Sequence, residues 1–460
     1  MKLALPKGRL LNSSKTWLQQ AGVELPDYST KSRSYRITCS QFPDLQVKVF
    51  SEKDIPIQVA IGNYDLGVCG LDWVQELLVK YPSSVVIKVH NLGYGGSDMY
   101  AATSTFSNFA SLEELRRQQG VVQIASEYPN LAESFALDQR FKRFKIFPLW
   151  GAAEAYPPES ADVILMLRPS EADLASCSLK PLATLFRSSA FLIANRTSWE
   201  TKDMSELLRC LCLHTYEDAE QRDDGKEELL PVGEVAGDFS AGLRLALPDG
   251  HQRQHAIAFL NKAGIQTWGY DNGSRRPRVG LPGVVAKVIR PQDMPLQVAN
   301  DNFDLAITGR DWLADHLSRF PTSPVEELLD LGFGRVKVVA ALTKEMEVKN
   351  VQDLKAKLDN RSIGTLRIAS EYTNIADKYA WDNHLSPYLL IPTWGASEAF
   401  LPEDADLLVD NTETGRTLAE HGLEIIDVLF ESTACLIGRS GSPKKKEMAG
   451  VVEAMKRGLQ

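Results

Sequence analysis

A run of small hydroxyl and acidic residues follows a short apolar segment near the end of the chain. The stretch is VDNTETGRTL, 409–418, and it comes directly after the apolar letters LL. A buried strand, a small-residue loop and a helix start together suit a phosphate group, because backbone N–H groups face the anion and glycine permits close approach. The candidate binding residues are Asp410, Thr412, Glu413, Thr414, Gly415, Arg416 and Thr417. An ordinary N-capped helix is the alternative interpretation of the same letters.

Basic residues elsewhere in the chain suit the remaining phosphates of a polyphosphate substrate. Lys7 and Arg9 lie on either side of Gly8, in a turn after the first strand-like run, where they could clamp a polyphosphate. Arg275 and Arg290 could neutralise a departing pyrophosphate. Taken alone, the Lys7–Arg9 turn is equally consistent with a basic surface turn, and lone arginines such as Arg275 and Arg290 are more often surface residues.

The chain contains the same pattern twice. LALPKGRLLNSSKTWLQQAGV begins at Leu3, and LALPDGHQRQHAIAFLNKAGI begins at Leu245. IASEYPNLAESFALD at Ile124 returns as IASEYTNIADKYAWD at Ile368. Self-similarity over so long a unit indicates a tandem duplication in which each copy is a folded body of its own.

Strand-like and helical patterns alternate within each copy, which predicts an α/β fold. We expect two tandem copies of a two-lobed, periplasmic-binding-protein-like unit, with the ligand cleft between the lobes at strand carboxyl ends. An acidic, glycine-containing linker without periodicity joins the copies. The predicted ranges are 1–214 for the first copy (lobes about 1–90 plus 178–214, and 91–177), 215–242 for the linker, and 243–460 for the second copy (lobes about 243–328 plus 419–460, and 329–418).

Composition excludes several classes of protein. The 460 residues are 44% hydrophobic and 24% charged, with a net charge of -9. Nucleic acids and anionic membrane surfaces call for basic proteins, so we expect neither as a partner. No apolar run is long enough for a membrane span, and the six scattered cysteines favour a reducing, cytoplasmic location. Ligand spacing identifies no metal site.

A series of motifs along the chain resembles ATP phosphoribosyltransferase, the first enzyme of histidine biosynthesis, in its short form. The matching pieces run through nearly the whole chain, in both copies, and form an ordered set. They are L-A-L-P-K-G-R-L, an arginine before D-[IM]-P, D-L-x-x-x-G-x-D, D-L-G-F-G-R, an acid after W-G, V-D-x-x-x-T-G-x-T-L and E-S-[ST]-A-x-L-I.

The resemblance implies a reaction. The family joins N1 of ATP to C1 of phosphoribosyl pyrophosphate, releases pyrophosphate and needs Mg²⁺. By resemblance, the 414–417 loop would hold the 5′-phosphate and Asp410 the ribose, with Glu398 and Asp311 as further substrate-side residues. Lys7, Arg9, Arg275 and Arg290 would serve the nucleotide and the pyrophosphate. A ring nitrogen needs little general-base help, so the protein's part is positioning and stabilisation of the leaving group.

The two copies differ at the residues that carry this chemistry. In the first copy the loop residues become Met166, Ser170, Glu171, Ala172 and Asp173, and the added acids would repel phosphate. In the second copy Lys7 and Arg9 become Asp249 and His251. We therefore hypothesise an internal pseudo-dimer in which one site, centred on the second copy's loop, is completed by Lys7, Arg9 and Arg33. Further homo-oligomerisation is compatible with this arrangement.

Two alternatives stay open at this point. Trp-Gly stands in both copies where the family usually has Asn-Gly, at Trp150 and Trp394, which leaves room for an acceptor other than ATP. The Trp394 ring is either a stacking surface or core packing. The decayed loop also allows a non-catalytic regulatory or ligand-binding homologue, although the intact loop at Asp410 argues for an enzyme.

Overall fold

A computed structural model describes residues 1–30, 32, 34–82, 85–212 and 242–459 of the chain. These residues form two compact units. Most of each sequence copy lies in one unit, but each unit also contains a short segment of the other copy. The first unit contains 1–148, 161–212 and 394–399, and the second contains 149–160, 242–393 and 400–459. The predicted linker falls outside the described residues except for Gly242, and so does Arg33.

Strands and helices alternate through the first copy, as predicted. The strands are β1 (Lys2–Lys7), β2 (Arg36–Thr38), β3 (Gln46–Ser51), β4 (Leu66–Gly70), β5 (Val86–Asn91), β6 (Ser97–Ser104), β7 (Val122–Ser126), β8 (Phe144–Pro148), β9 (Val163–Arg168), β10 (Leu179–Ser188) and β11 (Ala190–Asn195). The helices are α1 (Leu11–Gln20), α2 (Ile55–Ala60), α3 (Leu71–Lys80), α4 (Leu112–Arg117), α5 (Pro129–Asp138), α6 (Glu171–Ser176), α7 (Arg196–Thr201) and α8 (Ser205–Cys212).

Two sheets form the first unit, one in each lobe. The first has the order β2-β3-β1-β4-β11-β5, and β1 lies parallel to both β3 and β4. Leu3, Ala4 and Leu5 are fully buried, as expected for a parallel strand covered on both faces. The second sheet has the order β10-β6-β9-β7-β8. Strand β11, from the end of the copy, pairs with β4 and β5 in the first sheet, and α8 packs on the apolar cluster of that lobe.

The second copy repeats this plan and adds a small hairpin. Its strands are β12 (Leu243–Pro248), β13 (Thr267–Trp268), β14 (Arg278–Val279), β15 (Val284–Ile289), β16 (Leu305–Gly309), β17 (Val325–Asp330), β18 (Val336–Thr343), β19 (Leu366–Ser370), β20 (Tyr388–Pro392), β21 (Leu407–Thr412), β22 (Leu423–Ser432) and β23 (Ala434–Arg439). Its helices are α9 (Gln252–Lys262), α10 (Met294–Ala299), α11 (Arg310–Arg319), α12 (Val351–Asp359), α13 (Thr373–Asp382), α14 (Arg416–Glu420) and α15 (Lys445–Lys456).

Sheet order in the second unit matches that in the first, except that its first sheet has five strands and lacks the edge strand that β2 forms in the first unit. The two large sheets have the orders β15-β12-β16-β23-β17 and β20-β19-β21-β18-β22. Each sheet packs on an apolar cluster of its own. The predicted fold, two tandem copies of a two-lobed α/β unit, is confirmed. Within the described part of the chain, no helix has both the length and the apolar character needed to cross a membrane.

The lobe boundaries differ from the sequence-based ones at one strand per copy. The boundaries at 178 and 419 assign β10 and β22 to the first lobe of each copy. The structure instead pairs β10 with β6 and β22 with β18, in the second sheet. Both are ten-residue strands with register shifts, and the following strands β11 and β23 make the return. The apolar pattern of a strand does not tell which of the two sheets it joins, because a strand becomes buried in either sheet.

Candidate active site

The predicted phosphate loop has the expected order of strand, loop and helix. Leu407, Leu408 and Val409 of β21 are buried, between parallel β19 and antiparallel β18. The strand ends at Thr412 and α14 begins at Arg416. Gly415 caps the helix with φ +73°, a left-handed conformation that glycine adopts without strain. The sequence therefore places a glycine where the turn into the helix requires one.

Hydrogen bonds within the loop shape it. The N–H of Gly415 donates to Thr412 Oγ1 at 2.9 Å, and the N–H of Arg416 donates to Thr414 Oγ1 at 3.4 Å. Glu413, Thr414, Arg416 and Thr417 are exposed. Arg416 Nε donates to Glu420 at 2.7 Å, so this guanidinium lies along its own helix. The exposed residues Thr414 and Thr417 thus lie on either side of the start of α14, and their hydroxyls and this helix start suit a phosphate.

The equivalent loop of the first copy is an ordinary capped helix. Ser170 Oγ accepts from the N–H of Asp173 at 3.3 Å and donates to the Asp173 carboxylate at 2.6 Å. Glu171 stands in the position of Gly415 and begins α6. Ser170 therefore caps the helix by accepting from a backbone N–H at its start, and Asp173 accepts from the serine hydroxyl. The first copy thus has the N-capped helix that was the alternative interpretation of the motif.

Arginines meet around Asp249 at the end of β12 in the second unit. Arg275 Nη1 donates to Asp249 Oδ2 at 2.6 Å, and Arg290 Nη1 lies 3.6 Å from the same oxygen. Arg253 pairs with the other carboxylate oxygen. Arg275 Nε also donates to Glu154 at 2.8 Å. The structure thus brings together Arg275 and Arg290, which the sequence analysis had selected separately.

Asp249 is ionised because of these neighbours. Burial alone would raise the pKa of its carboxyl group, but Arg275, followed by Arg253 and Arg290, holds that pKa well below its usual range. In the sequence alone, Asp249 is apparent only as the replacement of a lysine. The second copy also has an arginine, Arg253, in the position of Leu11. A new acid and a new arginine in the same copy were the sequence signal for this cluster.

Segment 149–160 of the first copy packs within the second unit and supplies Glu154. The backbone N–H of Trp150 donates to the Asp293 carboxylate at 3.1 and 3.2 Å. The Trp150 ring lies 5.6 Å from that of Trp312, beside the apolar cluster of the second sheet. A β-carbon on Gly151 would come within 3.0 Å of Arg290 Nε, so a glycine is needed for this close approach. Sequence analysis did not predict this exchange of segments.

Lys287 also binds segment 149–160. Its side chain is fully buried, and Nζ donates to Glu159 Oε2 at 2.7 Å and to the Tyr156 carbonyl at 3.2 Å. Arg276 also donates to Glu159, at 2.8 and 2.9 Å. Burial, together with the nearby charge of Arg276, lowers the pKa of Lys287 to about 7, although Glu159 opposes the shift.

This buried amine predicts an unusual dependence of stability on pH. Between pH 7 and 9 the folded protein loses the Lys287 proton, whereas the unfolded chain keeps it up to about 10.5. The unfolded state then binds more protons, so stability rises with pH. We expect the free energy of unfolding to increase by about 1–2 kcal/mol from pH 7 to 9 relative to Lys287→Met. Urea denaturation at several pH values measures this difference, and parallel profiles for the two proteins would contradict it.

Asp311 links the loop strand to the first lobe of the second unit. Its carboxylate, 3% exposed, accepts from Tyr372 Oη at 2.6 Å and from Ser432 Oγ at 3.1 Å. Asn411 Nδ2, next to Asp410, donates to the same tyrosine oxygen. Burial, followed by Asp311, raises the pKa of Tyr372 well above its usual value, so the phenol keeps its proton and donates. Asp311 thus helps to position β21, the strand that leads into the loop, through Tyr372 and Asn411.

Lys7 and Glu398 come together in the first unit, which contains segment 394–399. Lys7 Nζ lies 3.5 Å from Tyr35 Oη and 5.2 Å from the centre of the Tyr35 ring. Tyr35 Oη donates to Glu398 Oε1 at 3.2 Å. Tyr35 of the first copy therefore binds Glu398 of the second copy inside the first unit. From the sequence, Glu398 had been grouped with the phosphate loop.

Arg9 is held by carboxylates of its own lobe. Its Nη2 lies 2.9 Å from Glu52 Oε2 and 3.3 Å from Asp72 Oδ1. Asp72 is the counterpart of Asp311 and likewise accepts from a tyrosine, Tyr128, at 2.8 Å. In the second copy His251 stands in the place of Arg9. Among the described residues, no group of three or more His, Cys, Asp or Glu side chains could hold a metal ion.

Comparisons with known proteins match both copies. The family model of ATP phosphoribosyltransferase (HisG) matches residues 51–212 and 290–458. An ATP phosphoribosyltransferase from Moorella thermoacetica is 34% identical over 221 residues, 47% of this chain and 92% of that protein. Another from Saccharolobus solfataricus is 31% identical over 214 residues, 45% of this chain and 67% of that protein. The solved ATP phosphoribosyl transferase (HisG:HisZ) complex from Thermotoga maritima aligns with 47% of this chain and 98% of its own, at 23% identity and a TM-score of 0.39.

Proposed function

Because this chain belongs to the ATP phosphoribosyltransferase family, we propose that it joins N1 of ATP to C1 of phosphoribosyl pyrophosphate and releases pyrophosphate. This reaction is the first step of histidine biosynthesis, and the enzyme is a pentosyltransferase. The C1–pyrophosphate bond breaks as the N1–C1 bond forms, and the oxygen of the leaving pyrophosphate takes the bonding electrons. The attacking ring nitrogen already has a lone pair, so no base has to remove a proton first.

One observation carries the proposal: the second copy has a glycine-capped loop of exposed donors, and the first copy has a serine-capped, acidic loop at the same position. The loop at 414–417 would hold the 5′-phosphate with its hydroxyls and N–H groups. Asp410 would accept from the ribose hydroxyls. At the positions of Glu171 and Asp173 the second copy has Gly415 and Thr417, so the helix start carries no acid that would repel a phosphate.

Arg275 and Arg290 would stabilise the pyrophosphate as it leaves. Stabilisation of the leaving group matters here because charge accumulates on the departing oxygens in the transition state. Both guanidinium groups share the second unit with the Asp410 loop, and Arg290 is the more exposed, at 39% of its side chain. We assign Glu398, Lys7 and Arg9 to the nucleotide side, a role supported by the Lys7–Tyr35–Glu398 contacts.

Mg²⁺ is the proposed cofactor, carried by the phosphates of the substrate. This ion favours oxygen ligands and commonly binds through substrate phosphates, one or two carboxylates and water. The pyrophosphate oxygens, together with the half-buried Asp410 carboxylate, fit that preference. When bound, the ion neutralises charge on the pyrophosphate. We place the enzyme in the cytoplasm, on the pattern of scattered cysteines.

The test is pyrophosphate release from phosphoribosyl pyrophosphate with ATP and Mg²⁺. We expect turnover that depends on both substrates, forms a product with a new N1–C1 bond and stops when EDTA removes the metal. Mass spectrometry of the product identifies the bond. Turnover with a different nitrogen heterocycle, and none with ATP, would reject ATP as the acceptor. Absence of turnover with every acceptor would reject the enzyme and favour a binding protein.

A further inference from the structure

Asp249 occupies the place of a lysine in a turn that both copies anchor by the same contact. Lys7 and Asp249 stand at the same position of the repeated L-A-L-P motif. In both copies the preceding proline carbonyl accepts from a buried tyrosine at 2.6 Å, Tyr28 for Pro6 and Tyr270 for Pro248. The two copies thus anchor this turn in the same way, and the lysine-to-aspartate difference changes the local charge by two units at the point where the arginines meet.

The carboxylate lies behind the cations. The Asp249 side chain is 6% exposed, that of Arg275 9%, and that of Arg290 39%. Asp249 Oδ1 also accepts from the N–H of Gly250 at 2.8 Å, which fixes the group in place. An anion that arrives from solvent thus meets Arg290 first and finds Asp249 already bound to the same guanidinium groups.

The cluster keeps a small excess of positive charge. Three arginines (Arg253, Arg275 and Arg290) face two carboxylates (Asp249 and Glu154), which leaves a net charge of about +1 by this simple count of side chains. Without Asp249 the excess would double. Several positive charges around one site attract a polyanion strongly. Asp249 therefore weakens the attraction that the three arginines would otherwise exert on it.

We propose that Asp249 is an internal counter-ion that competes with the phosphate groups of substrate and product for Arg275 and Arg290. It thereby limits how tightly the enzyme holds pyrophosphate and favours release of this product. The inference rests on the proposed function, since it concerns the same leaving group. Asp249 is a positioning residue in this scheme, because it acts through the arginines and touches no reacting atom.

The low pKa of the Asp249 carboxyl supports this role. Because Arg275 and its neighbours keep that pKa well below the usual range, the counter-ion is charged at every pH at which the enzyme would work. Competition for the arginines is therefore constant and does not switch with pH.

Asp249→Asn tests the proposal, because asparagine keeps the shape and one oxygen acceptor but removes the charge. Calorimetric titration with magnesium pyrophosphate at fixed ionic strength measures the affinity directly. We expect pyrophosphate to bind about tenfold more tightly, and inhibition by this product to strengthen by a similar factor. An unchanged or weaker affinity in a folded variant overturns the proposal.

Arg253→Gln provides a second variant of opposite sign. Loss of Arg253 leaves Asp249 more available to Arg275 and Arg290, and we expect pyrophosphate to bind several-fold more weakly. This variant also decides the matter if Asp249→Asn does not fold, since an unchanged or tighter affinity would again overturn the proposal. Asp406→Asn is the matched control, because it removes an acid that pairs with Arg367 at 2.7 Å on the second sheet of the same unit. Its pyrophosphate affinity should equal that of the wild type.

The wild-type protein separates failure of this inference from failure of the proposed function. If the wild type turns over ATP and phosphoribosyl pyrophosphate but Asp249→Asn binds pyrophosphate as the wild type does, only the counter-ion role is lost. If the wild type neither turns over nor binds magnesium pyrophosphate, the proposed function fails and the counter-ion role fails with it.

Discussion

Gly415→Glu is expected to lower kcat/KM for phosphoribosyl pyrophosphate by roughly 10³-fold while the protein stays folded. The change gives the second copy's loop the acid that stands at Glu171 in the first copy. A carboxylate about 4 Å from a phosphate in a partly buried site costs on the order of 4 kcal/mol, which corresponds to about three powers of ten. Steady-state kinetics with phosphoribosyl pyrophosphate as the varied substrate measures the loss.

Gly415→Ala separates backbone strain from charge. A β-carbon at this position meets only Ile425 Cδ1, at 3.7 Å, which is ordinary van der Waals contact. The remaining cost comes from φ +73°, about 1–2 kcal/mol for a residue with a side chain. We therefore expect Gly415→Ala to lose no more than about tenfold in kcat/KM and a few degrees in thermal midpoint.

The reciprocal change in the first copy is the control. Glu171→Gly restores the glycine there but leaves Met166 and Asp173, so we expect no gain in activity and no second binding event for phosphoribosyl pyrophosphate. If Gly415→Glu and Gly415→Ala lower kcat/KM equally, strain rather than charge controls the loop. If neither lowers it, the 414–417 loop is not the phosphate site.

Repeats and local motifs were sufficient to predict the architecture. The repeated LALP run indicated a strand in each copy, β1 and β12, and the small residues after β21 indicated a loop before a helix start. Such features depend on neighbours within a few positions, so sequence letters report them. The predicted lobe boundaries missed β10 and β22, because pairing of a half-buried strand with one sheet or another depends on long-range packing.

The partners of the charged residues could not be predicted in the same way. Glu154 reaches Arg275 across 121 positions, and Tyr35 reaches Glu398 across 363. No local pattern records which distant segment an arginine or a tyrosine meets. The sequence did contain a trace of one such contact, since Asp249 and Arg253 both depart from the first copy and now pair with each other. Such paired departures between repeats can identify contacts within a single chain.

Lys7→Ala is expected to lower kcat/KM by about 10- to 100-fold with little effect on stability, and it is a better test of the first copy's contribution than a change at Arg9. Lys7 is exposed and contacts Tyr35, whose hydroxyl donates to Glu398, so removal of the amine leaves no buried charge without a partner. Loss of a single phosphate-binding cation commonly costs a few kcal/mol in the transition state.

Arg9→Ala would be harder to interpret, because it leaves Glu52 and the fully buried Asp72 without their cation and is expected to cost about 2 kcal/mol or more of stability. Lys2→Ala is the matched control for Lys7→Ala, since Lys2 begins the same strand and also lies over a tyrosine ring, 5.9 Å from the centre of Tyr64. We expect wild-type kinetics from it. Equal activity of the Lys7 and Lys2 variants would show that the first copy's basic turn plays no part in the reaction, and the site would then belong to the second copy alone.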